Sequence, residues 1–186
     1  MTFKPIKFYK RAADFQRFYH RIKLIRCPHC QKSGHLILHG YLLGYDERSN
    51  HLKTIRGRRI FCSNRDRRQG CGRTFSILAA HILKNFTITT LSLWNFLNNI
   101  VLGMNKHAAF GFLQLPFSSS SIYRFYQHIY IRQQKIRTLL SKHSPPPVNV
   151  PSRNPLIQTI LHLKSIFTHT ADPLAAFQGH FQSSLL

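Results

Sequence analysis

The 186-residue chain carries 27 lysines and arginines against 5 aspartates and glutamates, a formal net charge of +22. Hydrophobic residues make up 43% of it, so composition excludes a disordered chain and length allows one medium domain or two small ones. A charge of this size indicates a polyanion as partner, usually nucleic acid. The alternative to a polyanion partner is that the charge only keeps the chain soluble. The basic residues, however, are interleaved with ordered-looking segments instead of forming a tail.

Neither a secretory signal nor a membrane span is expected. Residues 1–26 are basic and contain no uninterrupted apolar stretch. The most apolar run, 91–102, is too short to cross a bilayer and contains three asparagines. We therefore expect a cytoplasmic, nucleoid-associated protein with no membrane partner and no small-molecule substrate. In such a reducing compartment, paired cysteines favour metal binding over disulfides.

Residues 1–26 form a basic aromatic segment, with a helix expected over 12–21 and a strand over 22–25. Its rings alternate with lysines and arginines, which suits stacking on nucleic acid. The pattern favours at least as strongly that the same rings pack against residues 27–78, the cysteine-containing segment that follows. The rings concerned are Phe3, Phe8, Tyr9, Phe15, Phe18 and Tyr19.

The four cysteines of the chain occur as two pairs, Cys27 with Cys30 and Cys62 with Cys71. Four thiolates are the ligand set of a closed tetrahedral zinc site, so zinc is the expected cofactor. Eight residues separate the second pair, which is wider than the compact pattern. A histidine ligand in place of one thiolate is the alternative, and the candidates are His29, His35 and His39.

Strands are expected over 35–41, 51–61 and 73–78, with a polar turn at 46–50. Two cysteine-bearing turns joined by short antiparallel strands make a zinc ribbon, which we assign to residues 27–78. Its arginines give it a surface suited to DNA phosphates. The arginines expected to bind DNA are Arg56, Arg58, Arg59, Arg65, Arg67, Arg68 and Arg73.

Residues 79–142 are expected to form an all-helical module, so the fold class is α+β. The pattern predicts helices over 91–102, 106–113 and 122–141, each after cap residues. This order is typical of a helix-turn-helix, in which the start of the last helix contacts base edges. An ordinary three-helix bundle is the alternative. The residues expected to bind DNA here are Ser120, Ser121, Tyr123, Arg124 and Gln127.

A proline-rich linker is predicted over 143–155. The tail, 156–186, has a helix-like pattern over 156–168 and an end that we expect to be frayed. Two interpretations of this tail stay open: a helix that binds a partner, and a divergent remnant with no binding role.

Catalysis is not expected. Two-metal nucleases and transposases need clustered carboxylates, and the five acids are scattered along the chain. A four-thiolate zinc site leaves no position for a reactive water. An active nuclease or recombinase using another set of groups is the alternative.

Several motifs resemble the zinc-ribbon N-termini of bacterial insertion-sequence transposases and their accessory proteins. They are Cys27-Pro28-His29-Cys30, Gly34-His35, His39-Gly40-Tyr41, Arg58-Arg59-Ile60-Phe61-Cys62 and Cys71-Gly72-Arg73-Thr74-Phe75-Ser76. The resemblance covers about 22–130 and implies binding to the ends of a mobile element, with double-stranded DNA and a transposase or a second copy of the chain as partners. The lack of a downstream acidic domain favours an accessory, regulatory or truncated product. An RNA-binding or ribosome-associated zinc ribbon is the alternative, in which the aromatic N-terminus makes the main contacts.

Overall fold

The computed structural model describes residues 5–49, 51–118, 120–148 and 152–186. Four residues of the segments discussed above lie outside these ranges: Phe3 among the N-terminal rings, Asn50 in the predicted turn, Ser119 before the predicted third helix and Pro151 in the predicted linker. The fold is α+β, as expected, with a four-stranded mixed sheet and six α-helices among the described residues. The chain divides into two compact units. We call Met1–Tyr45 with Lys53–Ala80 the sheet unit, and Asp46–Leu52 with His81–Leu186 the helical unit.

The sheet has the strand order β1-β4-β3-β2. The three strands predicted from sequence pair antiparallel, whereas β1 pairs parallel with β4, so the sheet is mixed instead of purely antiparallel. β1 is only two residues long, and a pairing so short and so distant in sequence leaves no local pattern. The strands are β1 (Phe8–Tyr9), β2 (Leu36–Tyr45), β3 (Lys53–Cys62) and β4 (Thr74–Ala79).

Helix α1 (Ala12–His20) lies where a helix was predicted and buries Phe15 and Phe18 in the core of the sheet unit. The strand predicted over 22–25 is wrong, because Ile22–Leu24 forms a 3₁₀ turn. Ile22 and Ile25 are both buried at a spacing of three, which a helical turn satisfies and a strand does not.

The described part of the helical unit contains five helices, and four of them, all except the last, lie at positions predicted from the sequence. Thr89 and Asn105 cap the first two, accepting hydrogen bonds from the backbone N–H groups of Ser92 at 3.3 Å and Ala108 at 2.9 Å. The helices are α2 (Thr90–Val101), α3 (Lys106–Gly111), α4 (Ser120–Ser141), α5 (Pro155–Ile166) and α6 (Pro173–Phe181).

The C-terminal region belongs to the core of the helical unit. Leu156, Ile160 and Phe177 pack in one buried cluster with Trp94 of α2 and Ile129 of α4. The expectation of a frayed end is wrong, because α6 forms there and the last two residues, Leu185 and Leu186, are buried. No helix in the described ranges is long and apolar enough to cross a membrane.

Candidate metal centre and basic surfaces

The two cysteine pairs converge on one point of the sheet unit. All four sulfurs lie within 4.8 Å of one another, with Sγ of Cys27 3.8 Å from that of Cys71 and Sγ of Cys30 3.7 Å from that of Cys62. A metal ion about 2.3 Å from four tetrahedral thiolates would separate neighbouring sulfurs by about 3.8 Å. The cysteines are free thiols, and these separations are far longer than a disulfide bond. The group is therefore positioned to hold a metal ion.

The first pair sits on a tight turn after the 3₁₀ segment. The backbone N–H of Gln31 donates to the carbonyl of Cys27, and the N–H of Cys27 donates to the carbonyl of Lys32, both at 2.9 Å. The N–H of His29 points at Sγ of Cys27, 3.4 Å away. Backbone donors directed at sulfur stabilise the thiolate, which is the form that binds metal.

The second pair shows how the wide spacing is accommodated. The N–H of Gly70 donates to the carbonyl of Ser63 at 2.9 Å, closing the loop between them at its base. A Cβ atom on Gly70 would lie 2.3 Å from that carbonyl oxygen, so only glycine allows this approach. The N–H of Cys71 then lies 3.3 Å from Sγ of Cys62, which brings the last ligand to the cluster. We call residues 64–69 the basic loop.

Burial and backbone hydrogen bonds act on the thiols in opposite directions. Cys27 and Cys62 have no exposed surface, and burial raises the pKa of both thiols, that of Cys62 to about 12. For Cys30, the hydrogen bond from the backbone N–H of Lys32 lowers the pKa to about 7. Without metal, Cys30 is thus the first of these three thiols to ionise.

The histidines considered as alternative ligands lie outside the cluster. Nε2 of His29 is 3.4 Å from the carbonyl oxygen of Thr74, and the His39 ring packs against Phe61 with centroids 5.3 Å apart. The four cysteines form the one group of three or more potential ligands with converging ligand atoms in the part of the chain that the structure describes.

The arginines expected to bind DNA differ in their surroundings. Arg56 is buried, its guanidinium donates to the carbonyl of Tyr45, and it is not presented at the surface. Arg58 lies 4.0 Å above the Tyr41 ring, and Arg68 is half-buried, with Nη1 buried and unpaired among the described groups. The exposed members of the set are Arg59, Arg65, Arg67 and Arg73.

The start of α4 also presents its expected residues to solvent. Ser120, Tyr123, Arg124 and Gln127 are exposed, and Ser121 is half-buried. The opposite stripe of the helix is buried in the core and consists of Phe125, Ile129, Ile136 and Leu140.

Helix α3 contacts Tyr123, one of the side chains expected to bind DNA. The hydroxyl of Tyr123 is 2.9 Å from Nε2 of His107, and Nζ of Lys106 lies 3.9 Å from the centroid of the Tyr126 ring. The connection from Gly111 to Ser120 is longer than the three- to four-residue turn of an ordinary helix-turn-helix. The structure therefore gives an exposed face at the start of α4 but does not establish a helix-turn-helix.

Sequence reasoning missed what the acidic side chains do. The carboxylate of Glu47 accepts hydrogen bonds from the backbone N–H of Thr89 at 2.7 Å and the hydroxyl of Ser92 at 2.8 Å, at the start of α2. Asp172 caps α6 by accepting from the N–H of Ala175 at 2.9 Å. The Asp-Pro pair at 172–173 is a helix-start signal that sequence alone could have revealed.

Comparisons of the chain with protein-family models, with curated proteins and with solved structures found no match. The resemblance to insertion-sequence proteins therefore stays a prediction. What the geometry supports directly is a four-cysteine metal centre in one unit and exposed basic surfaces in both.

Proposed function

We propose that this chain is a zinc-dependent DNA-binding protein of a mobile genetic element, related to transposases and acting as an accessory or truncated product at the element ends. The zinc ion holds the sheet unit in shape, and the exposed arginines contact DNA phosphates. The exposed face of α4 provides preference for particular base pairs. This function does not require the chain to catalyse strand cleavage.

Zinc is the metal favoured by the donor set. Four thiolates are soft ligands, and a tetrahedral arrangement of sulfur is typical of zinc or iron–sulfur sites. Four cysteine ligands would fill all the positions around a tetrahedral ion, which suits a structural role. Metal analysis of the purified protein should give one zinc per chain, and Cys27→Ser combined with Cys62→Ser should abolish binding and unfold the sheet unit. Iron in place of zinc, or no metal, would refute this assignment.

The observation that carries the DNA-binding proposal is the polar stripe at the start of α4. Arg124 and Gln127 are both exposed there, one turn apart, opposite a fully buried apolar stripe. Arginine pairs with guanine and glutamine with adenine through two hydrogen bonds each when a helix lies in the major groove. The exposed arginines of the sheet unit add contacts that do not depend on sequence.

A competition experiment at fixed salt tests the proposal. The unlabelled duplex of the element end should displace a labelled copy at lower concentration than a random duplex of equal length. Arg124→Ala should reduce this preference by about 1–3 kcal/mol if the side chain contacts a base. Arg137→Ala is the matched control, an exposed arginine further along α4 that should leave the preference unchanged. Equal displacement by both duplexes would refute specific recognition.

The RNA-binding alternative depended on an accessible aromatic N-terminus. Phe8, Phe15 and Phe18 are each less than 10% exposed. These three rings pack within the protein, as the second interpretation of that segment predicted, whereas Tyr19 is 44% exposed. Structured RNA remains a useful competitor in the same experiment.

A further inference from the structure

One end of the β2–β3 hairpin exposes an aromatic and apolar face that the proposed function does not use. Along β2, Tyr41, Leu43 and Tyr45 are 52%, 57% and 50% exposed and follow one another at every second position. Because side chains alternate between the two faces of a strand, these three share a face. A soluble protein normally buries or covers rings placed in this way, so the face needs an explanation.

Cross-strand partners complete the surface. Tyr41 is paired with Arg58, Leu43 with Ile55 and Tyr45 with Lys53 in the register of β2 and β3. The guanidinium of Arg58 lies 4.0 Å from the centroid of the Tyr41 ring, and Nζ of Lys53 lies 5.7 Å from that of Tyr45. Two ring–cation pairs therefore flank an apolar pair. We call Tyr41, Leu43, Tyr45, Lys53, Ile55 and Arg58 the hairpin face.

The hairpin face adjoins helix α1 at Arg58. The guanidinium of Arg58 is also 5.2 Å from the centroid of Phe15, a buried ring of α1. Tyr41 and Tyr45 themselves remain 52% and 50% exposed. The hairpin face is therefore a continuation of the core surface that is left open to a ligand.

We propose that the hairpin face binds single-stranded DNA by base stacking. The two tyrosine rings offer flat surfaces on which bases stack, and the two cations beside them add positive charge that favours phosphates. The rings lie four residues apart on an extended strand, roughly 14 Å, whereas stacked bases of a duplex are about 3.4 Å apart. A duplex also hides the faces of its bases. The surface thus fits an unpaired, extended strand.

The charge of the hairpin face favours a single-stranded nucleic acid as its ligand, because each nearby carboxylate in the sequence has a hydrogen-bond donor. The carboxylates nearest in sequence, Asp46 and Glu47, accept hydrogen bonds from the backbone of Arg48 and from Thr89 and Ser92. The assignment to DNA and not RNA rests on the proposed function, and oligouridine is the competitor that tests it.

Binding of a fluorescent eight-nucleotide oligothymidine to the full-length zinc-loaded protein tests the proposal. Tyr41→Ala with Tyr45→Ala should weaken binding of this strand at least about tenfold and leave duplex binding nearly unchanged. Tyr41→Phe with Tyr45→Phe keeps the rings and should bind like the wild type. Tyr130→Ala is the matched control, because Tyr130 in α4 is also 52% exposed.

The variant Leu43→Glu provides a second test of oligothymidine binding, which decides the question if the double alanine variant loses zinc or folds poorly. Leu43→Glu places a negative charge between the intact rings and should weaken oligothymidine binding, while Ile131→Glu, at a similarly exposed position of α4, should not. Unchanged binding by a folded double alanine variant or by Leu43→Glu would overturn the proposal, and so would equal losses in the phenylalanine and alanine variants. Tighter binding of oligouridine than oligothymidine would overturn the assignment to DNA. Failure of duplex specificity alone would refute the proposed function and not this inference.

Discussion

Gly70 is the residue on which the geometry of the metal centre depends most directly. Its φ is not in the left-handed region, so the requirement is purely for space, because a Cβ would meet the carbonyl oxygen of Ser63 at 2.3 Å. Gly70→Ala should open the base of the basic loop and displace Cys71. We expect metal affinity to fall about 10–100-fold, the usual cost of disturbing a group that orients a ligand.

The measurement is competition for zinc against a chelating dye. Gly111→Ala is the matched control, since a Cβ added there would meet no atom within 4 Å and the backbone is helical. It should leave zinc affinity unchanged and slightly stabilise α3. Equal affinity of the two variants would mean that the Gly70–Ser63 closure does not position the ligand.

The pKa values of the cysteines make metal binding depend on pH. Burial raises the pKa of Cys27 and brings that of Cys62 to about 12, so both thiols carry protons near neutral pH in the apoprotein. Metal must displace these protons, and affinity therefore falls as pH falls. We expect the logarithm of the association constant to rise by at least about two per pH unit between about pH 7.5 and 8.5, one for each of these two thiols. Titrations against a chelator of known proton affinity measure this, and a slope near zero would contradict it.

At the level of single residues, the sequence was sufficient to predict which four side chains come together. It was insufficient to predict which charged and aromatic side chains are exposed. The four cysteines were predicted together because thiolate chemistry and spacing limit the choices. The burial of Arg56 was not predictable from its charge, because it depends on where β2 and β3 place it. The exposure of Tyr41 and Tyr45 was equally hidden, since an alternating apolar strand normally indicates a covered face.

Among the helices, α6 shows most clearly how one side chain joins two elements. Asp172 precedes it, and one carboxylate oxygen accepts from the N–H of Ala175 while the other accepts from the hydroxyl of Thr90 in α2 at 2.5 Å. Thr90 is fully buried. Asp172→Ala should lower the free energy of unfolding of the helical unit by about 2–3 kcal/mol, through loss of the cap and an unpaired buried hydroxyl.

Chemical denaturation followed by circular dichroism checks this value. Asp172→Asn retains an oxygen for Ala175 and should cost less than the alanine variant. Asp46→Ala is the control within the same unit, because its hydrogen bond to the backbone of Arg48 is exposed, and the change should stay within about 0.5 kcal/mol. A loss for Asp172→Ala no larger than for Asp46→Ala would show that the cap adds little.

Most elements with a local signal were predicted, and strand β1, which is two residues long and has none, was missed. Helices α2, α3 and α4 follow cap residues and have apolar stripes, and strands β2 to β4 have runs of β-formers between turns. The 3₁₀ turn at Ile22–Leu24 was mistaken for a strand because a short apolar run fits either structure. Helix α6 was missed although its Asp-Pro start is a recognisable signal.

Over the whole molecule, the few acids stabilise helix starts and leave the positive charge unbalanced. Asp14, Glu47 and Asp172 accept hydrogen bonds from backbone N–H groups at or just before the first turns of α1, α2 and α6. This placement follows the helix dipole, which favours negative charge at that end. The exposed cations therefore remain available to a polyanion.

The salt dependence of duplex binding measures how many of those cations bind phosphate. Five arginines of the expected contact set are exposed, and if each neutralises one phosphate the slope of log affinity against log salt is about −4.5. Replacing three of them with alanine should reduce the slope to about −2. The five are Arg59, Arg65, Arg67, Arg73 and Arg124, and the three to replace are Arg65, Arg67 and Arg73. A wild-type slope near zero would exclude electrostatic binding.

The division of the chain into units was the part that sequence could least reveal. The proline-rich stretch predicted a linker over 143–155 and a separate tail. Instead, Nε2 of His162 in α5 lies 3.1 Å from the carbonyl oxygen of Ser144, and the helices beyond it share a core with α2 and α4. Such packing depends on contacts between distant segments, which composition and periodicity do not encode.

The closure between Ser63 and Gly70 also affects how such a protein can diversify. Because the loop is joined at its base, its length and sequence can vary while the four ligands stay in place, and surface loops tolerate such variation at little thermodynamic cost. Substitutions and insertions within 64–69 should therefore leave the four cysteine sulfurs converging on the same point. The segment 64–69 is thus a position where a foreign peptide can be inserted while the four-cysteine cluster keeps its geometry.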